Sequence, residues 1–463
     1  MLSEQTGKNP LISRTTRREF LRNGAAATTI GGWTLLPHAV SVAETPANER
    51  VVLAIVGCGG RGSALAGGFL QRGDCRIAYV CDPFLPRAEA LAKTVAQTQG
   101  TAPKVVDDLR KALDDKTVDA IVSATPDHWH ALSTVWACQA GKDVYVEKPV
   151  SHSIWEARKM VEAARKYQRV VQIGTQNRSA PYNFDAKEYI SSGKLGRIHL
   201  CRIFNQKFWG NFPPKPDSDP PPGLNWDIWN GPAPEARYNF NYQYNWHHFW
   251  RYSGGDIAND ASHQIDLARW LLGVGCPRTV YSVGGRFDSE GAAETPDTQI
   301  AVYEYDGLLV TFELTLYTPY MLKIDPEIRD NDLFPYWPQC ATRIEIYGTE
   351  GVMYVGRHGG GWQVFERPRS RQPVVTAQRY GRFPDPEHKA NFIECIKARK
   401  LPNADVEEGY RSGLLIHYAN ISLRLGGVKI VLDPQKELPV EPAEAHSLIK
   451  REYRPPYVIP ENV

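Results

Sequence analysis

Residues 51–62 read VVLAIVGCGGRG, and the kind of chain that follows turns on this stretch. Val51 to Val56 form an unbroken apolar run rich in β-branched residues, as expected of a parallel strand covered on both faces. Gly57, Gly59 and Gly62 then fit the spacing GxGxxG, and a helical pattern starts at once with Ala64, Leu65, Phe69 and Leu70. A glycine triplet alone is a weak signal. Here it lies between strand and helix, and a second strand, RIAYVCD, ends in Asp82, twenty residues beyond Gly62. A dinucleotide-binding fold places there the acid that holds the ribose diol. Gly57 permits the tight turn. Gly59, flanked by Gly60 and Arg61, lets the backbone approach a pyrophosphate, and Gly62 lets the helix pack close. The helix N-terminus then faces the phosphates. A carboxylate at Asp82 repels a 2′-phosphate, so NAD is expected rather than NADP, although Arg87 stands nearby.

The alternation continues outward. KVVDD (104–108), VDAIVSATP (118–126), DVYVEKP (143–149) and VVQIGTQ (170–176) read as further strands. Helical stretches at Asp107–Asp114, His128–Ala140 and Ser153–Tyr167 separate them, so a doubly wound sheet is expected. Chemistry in such a sheet gathers at the carboxyl ends of the strands. Thr125, Pro126, His128, His130, Glu147 and Gln176 lie there and are expected to contact the cofactor, with Arg178 directed at the substrate.

After Gln176 the pattern changes to alternating apolar and polar residues, in RIHLCRIFNQKF (197–208), QIAVYEYDGLLVTFELTLYT (299–318) and CATRIEIYGTEGVMYV (340–355). These predict a mostly antiparallel sheet with one covered face. Between the first two groups, the proline-rich stretch 213–234 reads as irregular. Five of the twelve tryptophans fall between Trp209 and Trp250, which suits the apolar faces of sugar rings or packing at an interface equally well. A helix entered through Gly254-Gly255 then carries Asn259, His263 and Asp266, and Asn259 and His263, four apart, share a face. His247, His248 and Arg251 precede it, and His248 and Arg251 are expected to reach the substrate. The histidine spacing matches no zinc pattern, so no metal is expected. Two packing helices, EHKANFIECIKARK and EEGYRSGLLIHYANISLRL, close the chain, with His388 opening the first near the site.

VGCGGRG, TPDHWH, VEKP and GTQNRS, in this order, resemble the glucose–fructose oxidoreductase, inositol dehydrogenase and rhizopine-catabolism (Gfo/Idh/MocA) family. The resemblance spans nearly all of the chain beyond the leader. It implies an N-terminal NAD-binding Rossmann domain and a C-terminal α+β domain with a large open sheet, whose exposed face often joins a homo-oligomer. It implies that Lys148, the lysine of EKP, lies near the nicotinamide and the reacting carbinol, and that Pro149 is cis. It makes His263 the acid–base partner. Asn259 stands where the family more often has Asp, with Asp260 beside it, and both are expected to bind the substrate, although an amide holds neither a proton nor a charge. The implied substrate is a sugar, glycoside or cyclitol, oxidised by hydride transfer to NAD. A redox-neutral enzyme that keeps and recycles tightly bound NAD, a sugar–sugar oxidoreductase and a non-catalytic sugar-binding protein are the alternatives.

At the start of the chain, Arg17-Arg18 precedes a short, weakly apolar run from Gly24 to Leu36, and Ser41-Val42-Ala43 makes a small-residue cleavage site. The run is too short for a stable membrane span. The segment resembles twin-arginine signals, which implies export of the folded protein to the periplasm by that machinery. The expected division is 1–43 signal, 44–175 cofactor domain and 176–463 substrate and oligomerisation domain. The formal charge of +2 comes largely from the leader, which argues against nucleic acid or an anionic membrane as partner. Eight cysteines show no CxxC pair. Cys58, Cys81 and Cys138 read as buried thiols, while a disulfide between distant cysteines stays open.

Overall fold

The apolar runs of the first half become six parallel strands: β1 (Val51–Val56), β2 (Cys75–Cys81), β3 (Lys104–Val106), β4 (Ala120–Ser123), β5 (Asp143–Val146) and β6 (Val171–Ile173). They lie in the order β3-β2-β1-β4-β5-β6 in a computed structural model. The structure describes residues 50–463 except 210, 288–289, 319–320, 322–325, 332 and 367–373, so the expected leader lies outside the described residues. Every residue of β1 is buried, which is why its sequence shows no alternation. Helices cover both faces: α1 (Gly60–Leu70), α2 (Leu85–Gln99), α3 (His130–Gln139) and α4 (Ile154–Lys166). The helix expected at 107–114 contracts to Arg110–Leu113, and α3 is preceded by a 3₁₀ turn at Asp127–Trp129.

The second sheet has ten strands: β7 (Ile198–Gln206), β8 (Thr279–Gly285), β9 (Thr298–Tyr305), β10 (Leu308–Thr315), β11 (Ile344–Gly348), β12 (Gly351–Val355), β13 (Trp362–Glu366), β14 (Val374–Arg379), β15 (Ile430–Asp433) and β16 (Leu438–Glu441). Their order is β14-β13-β12-β11-β7-β10-β9-β8-β15-β16. Among the described residues of this sheet, only β7 and β10 pair in parallel. In β9, Gln299, Ala301 and Tyr303 are buried while Ile300 between them is exposed, the two-residue period of a sheet with one covered face. That face packs on α6 (Ser262–Leu272, numbered after α5, Pro181–Ser191) and on α8 (Val406–Arg424, numbered after α7, Asp385–Ala398). The Tyr303 hydroxyl donates to the Leu415 carbonyl at 3.1 Å.

Two expectations change, and the reading of the cysteines as buried thiols holds. The single helix from the Gly254-Gly255 pair divides into a turn at Asp256–Asn259 and α6, because the chain bends at Asp260. The proline-rich stretch contains a short helix, Trp226–Asn230, whose first turn is capped when the Asn225 side chain accepts from the Ile228 N–H. All eight cysteines are buried, free thiols.

The aromatic segment builds a small core of its own from Leu224, Trp229, Tyr238, Phe249 and Tyr252. Trp226 and Trp229 stack at 4.8 Å. Most of these rings therefore pack against one another. The tail helix α7 crosses back to the first sheet, where Phe392 meets Phe69 and Tyr145 edge-on at 6.1 and 5.7 Å.

Candidate active site

The turn after β1 forms a cradle. Gly57 adopts φ +86°, and a Cβ there would lie 2.6 Å from the Ala124 carbonyl oxygen. A Cβ on Gly62 would lie 1.8 Å from the Gly57 carbonyl oxygen, so α1 packs onto β1 only through glycine. Gly59 and Gly60 meet nothing within 4 Å and front an open groove of about 270 Å³. Arg61, Asp82, Arg87, Thr125 and Pro126 also line it. The Asp82 carboxylate is buried and accepts the Cys58 and Phe84 N–H groups at 2.8 and 2.9 Å, which aims it at the groove from the end of β2. Burial holds its pKa above the usual carboxylate range, and the two N–H donors oppose that shift. Glycine backbone at a helix N-terminus with an acid at the next strand end is the donor set a dinucleotide needs, so these residues fit NAD.

The groove's outer wall comes from the second half of the chain. Ile228, Trp229, Gln243, Trp246 and His247 line it. The Leu85 N–H donates to the Gly223 carbonyl at 3.0 Å, and the Asn225 N–H to the Pro83 carbonyl at 2.8 Å, stitching the aromatic segment to the loop after Asp82.

A second cavity, about 750 Å³, adjoins the first and shares Arg61, Ala124, Thr125, Trp246 and His247 with it. Lys148, Asn259, His263, Glu147 and Gln176 line it, together with Asp127, His358 and Asp385. The Lys148–Pro149 bond is cis. Lys148 Nζ donates to the carbonyl oxygen of Asn259 at 2.7 Å and to its Oδ1 at 3.0 Å. The Asn259 amide N–H reaches Asp256 at 3.3 Å, which fixes the side-chain oxygen toward the lysine. Burial lowers the lysine pKa. Arg61 donates to Glu147 at 2.8 Å and to Asp385 at 3.1 Å, and Gln176 donates to the Tyr145 hydroxyl at 3.1 Å. Asp127 accepts the Ser253 hydroxyl at 2.6 Å, and burial pushes its pKa up to about 7.

Several expected site residues line neither cavity. His128 bonds the Trp229 carbonyl at 3.0 Å, and its ring packs on Trp229 and Tyr252. His130 sits between the carbonyls of Pro149 and Thr125, at 2.6 and 3.0 Å, behind both loops, and its single N–H donates to one of them. Arg178 is 1% exposed and paired with Asp266 and Glu408. Arg251 lies over the rings of Tyr242 and Tyr252. Asp260 is held by Lys207 and Arg357. His248 packs edge-on against Trp209, and its neighbour His247 takes the cavity wall instead. His388 bonds Ser179 and the Ile173 carbonyl, whereas Asp385, one turn earlier on α7, reaches the cavity. Among the described residues no group of three or more His, Cys, Asp or Glu is placed to hold a metal ion.

Comparison with known proteins agrees with this geometry. A family model described as an oxidoreductase family with NAD-binding Rossmann fold matches residues 51–175. A GFO/IDH/MocA C-terminal domain matches 224–354, and an oxidoreductase-family C-terminal alpha/beta domain matches 348–459. The chain belongs to the Gfo/Idh/MocA oxidoreductase family. As a member it is an NAD-binding oxidoreductase. It is 32% identical to the inositol 2-dehydrogenase of Rubrobacter xylanophilus, over 88% of this chain and 97% of that one. It is 25% identical to the scyllo-inositol 2-dehydrogenase (NAD(+)) of Bacillus subtilis, over 71% of this chain and 80% of that one. The WlbA dehydrogenase of Bordetella pertussis, solved with NADH and UDP-GlcNAcA, shares the fold with a TM-score of 0.59 at 23% identity, covering 83% of this chain and 99% of that one.

Two predictions follow from this family architecture. Gly62→Ala, forced against the Gly57 carbonyl, should lower the melting temperature with or without NAD. Gly59→Ala should leave the melting temperature without NAD unchanged and lose the rise that NAD produces. Equal behaviour of the two variants would contradict the cradle. The second concerns Asp127. The folded carboxyl stays protonated up to about pH 7, whereas the unfolded one ionises near about pH 4. Its stabilising contribution is thus full below about pH 4 and lost as pH rises to about 7. Asp127→Asn cannot ionise, so its melting temperature relative to the parent should climb between pH 4 and pH 8. A difference that is flat across that range would refute the shift.

Proposed function

We propose that the protein is an NAD-dependent dehydrogenase that oxidises a ring hydroxyl of a sugar or cyclitol. The observation that carries this reading is the shared wall. The cavity holding Lys148 and His263 opens beside the nucleotide groove along Thr125, Trp246 and His247. NAD, when bound, supplies the hydride acceptor. Gly57, Gly59, Gly60 and Asp82 would hold it, with Thr125 and Pro126 on the opposite wall. Two N–H bonds of the Lys148 ammonium go to Asn259, which leaves the third for a substrate oxygen. The bonded partner is an amide rather than a carboxylate, so it brings no negative charge to offset the pull of the ammonium on the substrate oxygen as its proton departs. His263, on the first turn of α6 and on the same cavity, takes that proton. The names of relatives that act on inositols support the cyclitol class.

Lys148→Ala should abolish hydride transfer, a loss of about a hundredfold or more, while NAD still binds. Absorbance at the nicotinamide band measures the first and calorimetry the second. Unchanged turnover would end this assignment.

The same reading includes export in the folded state. It is supported by Arg17-Arg18, the Gly24–Leu36 run and Ser41-Val42-Ala43. Replacing both arginines by lysine should keep the full-length chain in the cytosol, and fractionation of the wild type should recover a chain shortened by the leader in the periplasm. Wild-type protein found uncleaved in the cytosol would remove this part of the proposal.

A further inference from the structure

The loop between β12 and β13 brings a second imidazole to the cavity. Its turn is made by Gly359, Gly360 and Gly361, with φ of +93°, +79° and +55°, and it is closed by the Gly356 N–H donating to the Gly361 carbonyl at 2.9 Å. Only glycine adopts three such conformations in succession at low cost. The turn points the two preceding side chains inward. Arg357 is 2% exposed and pairs with Asp260, at the bend between the Asp256–Asn259 turn and α6, which pins the loop to the segment that carries Asn259 and His263. His358, next in sequence, lines the same cavity as Lys148 and His263.

The His358 ring is held on both sides. It lies 4.4 Å from the His263 ring at 73°, and 4.4 Å from the Phe383 ring. The residue is 7% exposed. Its Nε2 is buried and has no hydrogen-bond partner among the described residues. A buried ring nitrogen without a partner costs free energy unless something else pairs with it. The ring lies on the cavity wall, locked in place by two rings and a tight turn, and its unpartnered nitrogen is paired when a ligand pressed against that wall brings the missing group. Burial, with Arg357 and His263 alongside, pushes the pKa of this ring well down. The imidazole is therefore neutral at pH 7 and can either give or accept one hydrogen bond.

We propose that His358 is a substrate-contacting residue whose Nε2 bonds the hydroxyl next to the one being oxidised, so that the site selects vicinal diols. Neighbouring hydroxyls on a sugar or cyclitol ring suit two adjoining imidazoles, His263 taking the proton of one and His358 holding the other. A site with such a buried partner rejects an analogue that lacks the hydroxyl, because the ring nitrogen is then left unpaired.

This inference rests on the dehydrogenase reading, and the test separates the two. NAD-loaded wild-type protein is assayed with scyllo-inositol, myo-inositol and levoglucosan. The best substrate is then compared with its deoxy analogues, each lacking one hydroxyl beside the oxidised carbon. Wild type should prefer the parent over one analogue by about tenfold or more in kcat/KM. His358→Ala should lower kcat/KM for the parent by about tenfold, mainly through KM, and leave that analogue nearly unaffected, so that the preference disappears. His358→Gln, which can place an amide N–H near the Nε2 position, should restore part of it. NAD binding should be the same in all three proteins. If His358→Ala lowers parent and analogue equally, or neither, His358 is a packing residue and the proposal is overturned. If the wild type turns over none of the three polyols, the dehydrogenase reading fails and takes this inference with it.

Discussion

The Lys148 ammonium binds the end of β5 to the start of the substrate helices through both oxygens of Asn259, and much of the site's geometry depends on that link. Asn259 is itself oriented by Asp256, Asp256 is paired with Lys207, Lys207 with Asp260, and Asp260 with Arg357. One polar chain thus runs from a strand end of the first sheet to the hairpin loop of the second. Its members are largely shielded from water, where each broken pair leaves an uncompensated charge. Such a network tolerates little displacement, which is what a hydride transfer needs between a carbinol carbon and a nicotinamide. A second tie, Arg61 to Glu147 and Asp385, fastens the first turn of α1 to the tail helix α7, so the same cavity is braced from both ends of the chain.

How much of this was legible depended on how local each signal is. β1, α1 and Asp82 could be read directly, because a strand buried on both faces, a glycine turn and an acid at a strand end leave a mark within about thirty residues. Lys148 and His263 are marked by the family resemblance, and both line the second cavity. The expected residues that line neither cavity share a physical feature. His128, His130 and Arg178 sit at strand ends as the sheet rule demands, but their side chains point away from the cavities, toward Trp229, Pro149 and Asp266. Position along a strand end was visible, and side-chain direction was not. His248 was chosen over His247 in an irregular segment, where no period distinguishes one face from the other. Asp385 and His358 were missed because they arrive from 122 and 95 residues beyond His263, and only the folded topology brings them to it. A run of three glycines after His358 was a usable sign that the chain turns sharply there.

The aromatic segment shows how composition can be read two ways. Its concentration of tryptophan fits sugar recognition, yet Trp226 and Trp229 spend their faces on each other, and Phe249 and Tyr252 fill the same small core. Trp246 faces both cavities with His247 stacked on it at 3.8 Å, at the boundary where cofactor and substrate would meet.

The stitching of Gly223 and Asn225 to the loop after Asp82 bears on what counts as a module in this chain. The six-stranded sheet looks like a portable unit, since its motif, its helices and its acid all lie within residues 51–175. The outer wall of its groove is nevertheless built by residues 228–247. Excised at 175, the sheet would keep the floor of the groove and lose its wall. The complete cofactor groove is therefore a property of the whole chain, floor from one half and outer wall from the other.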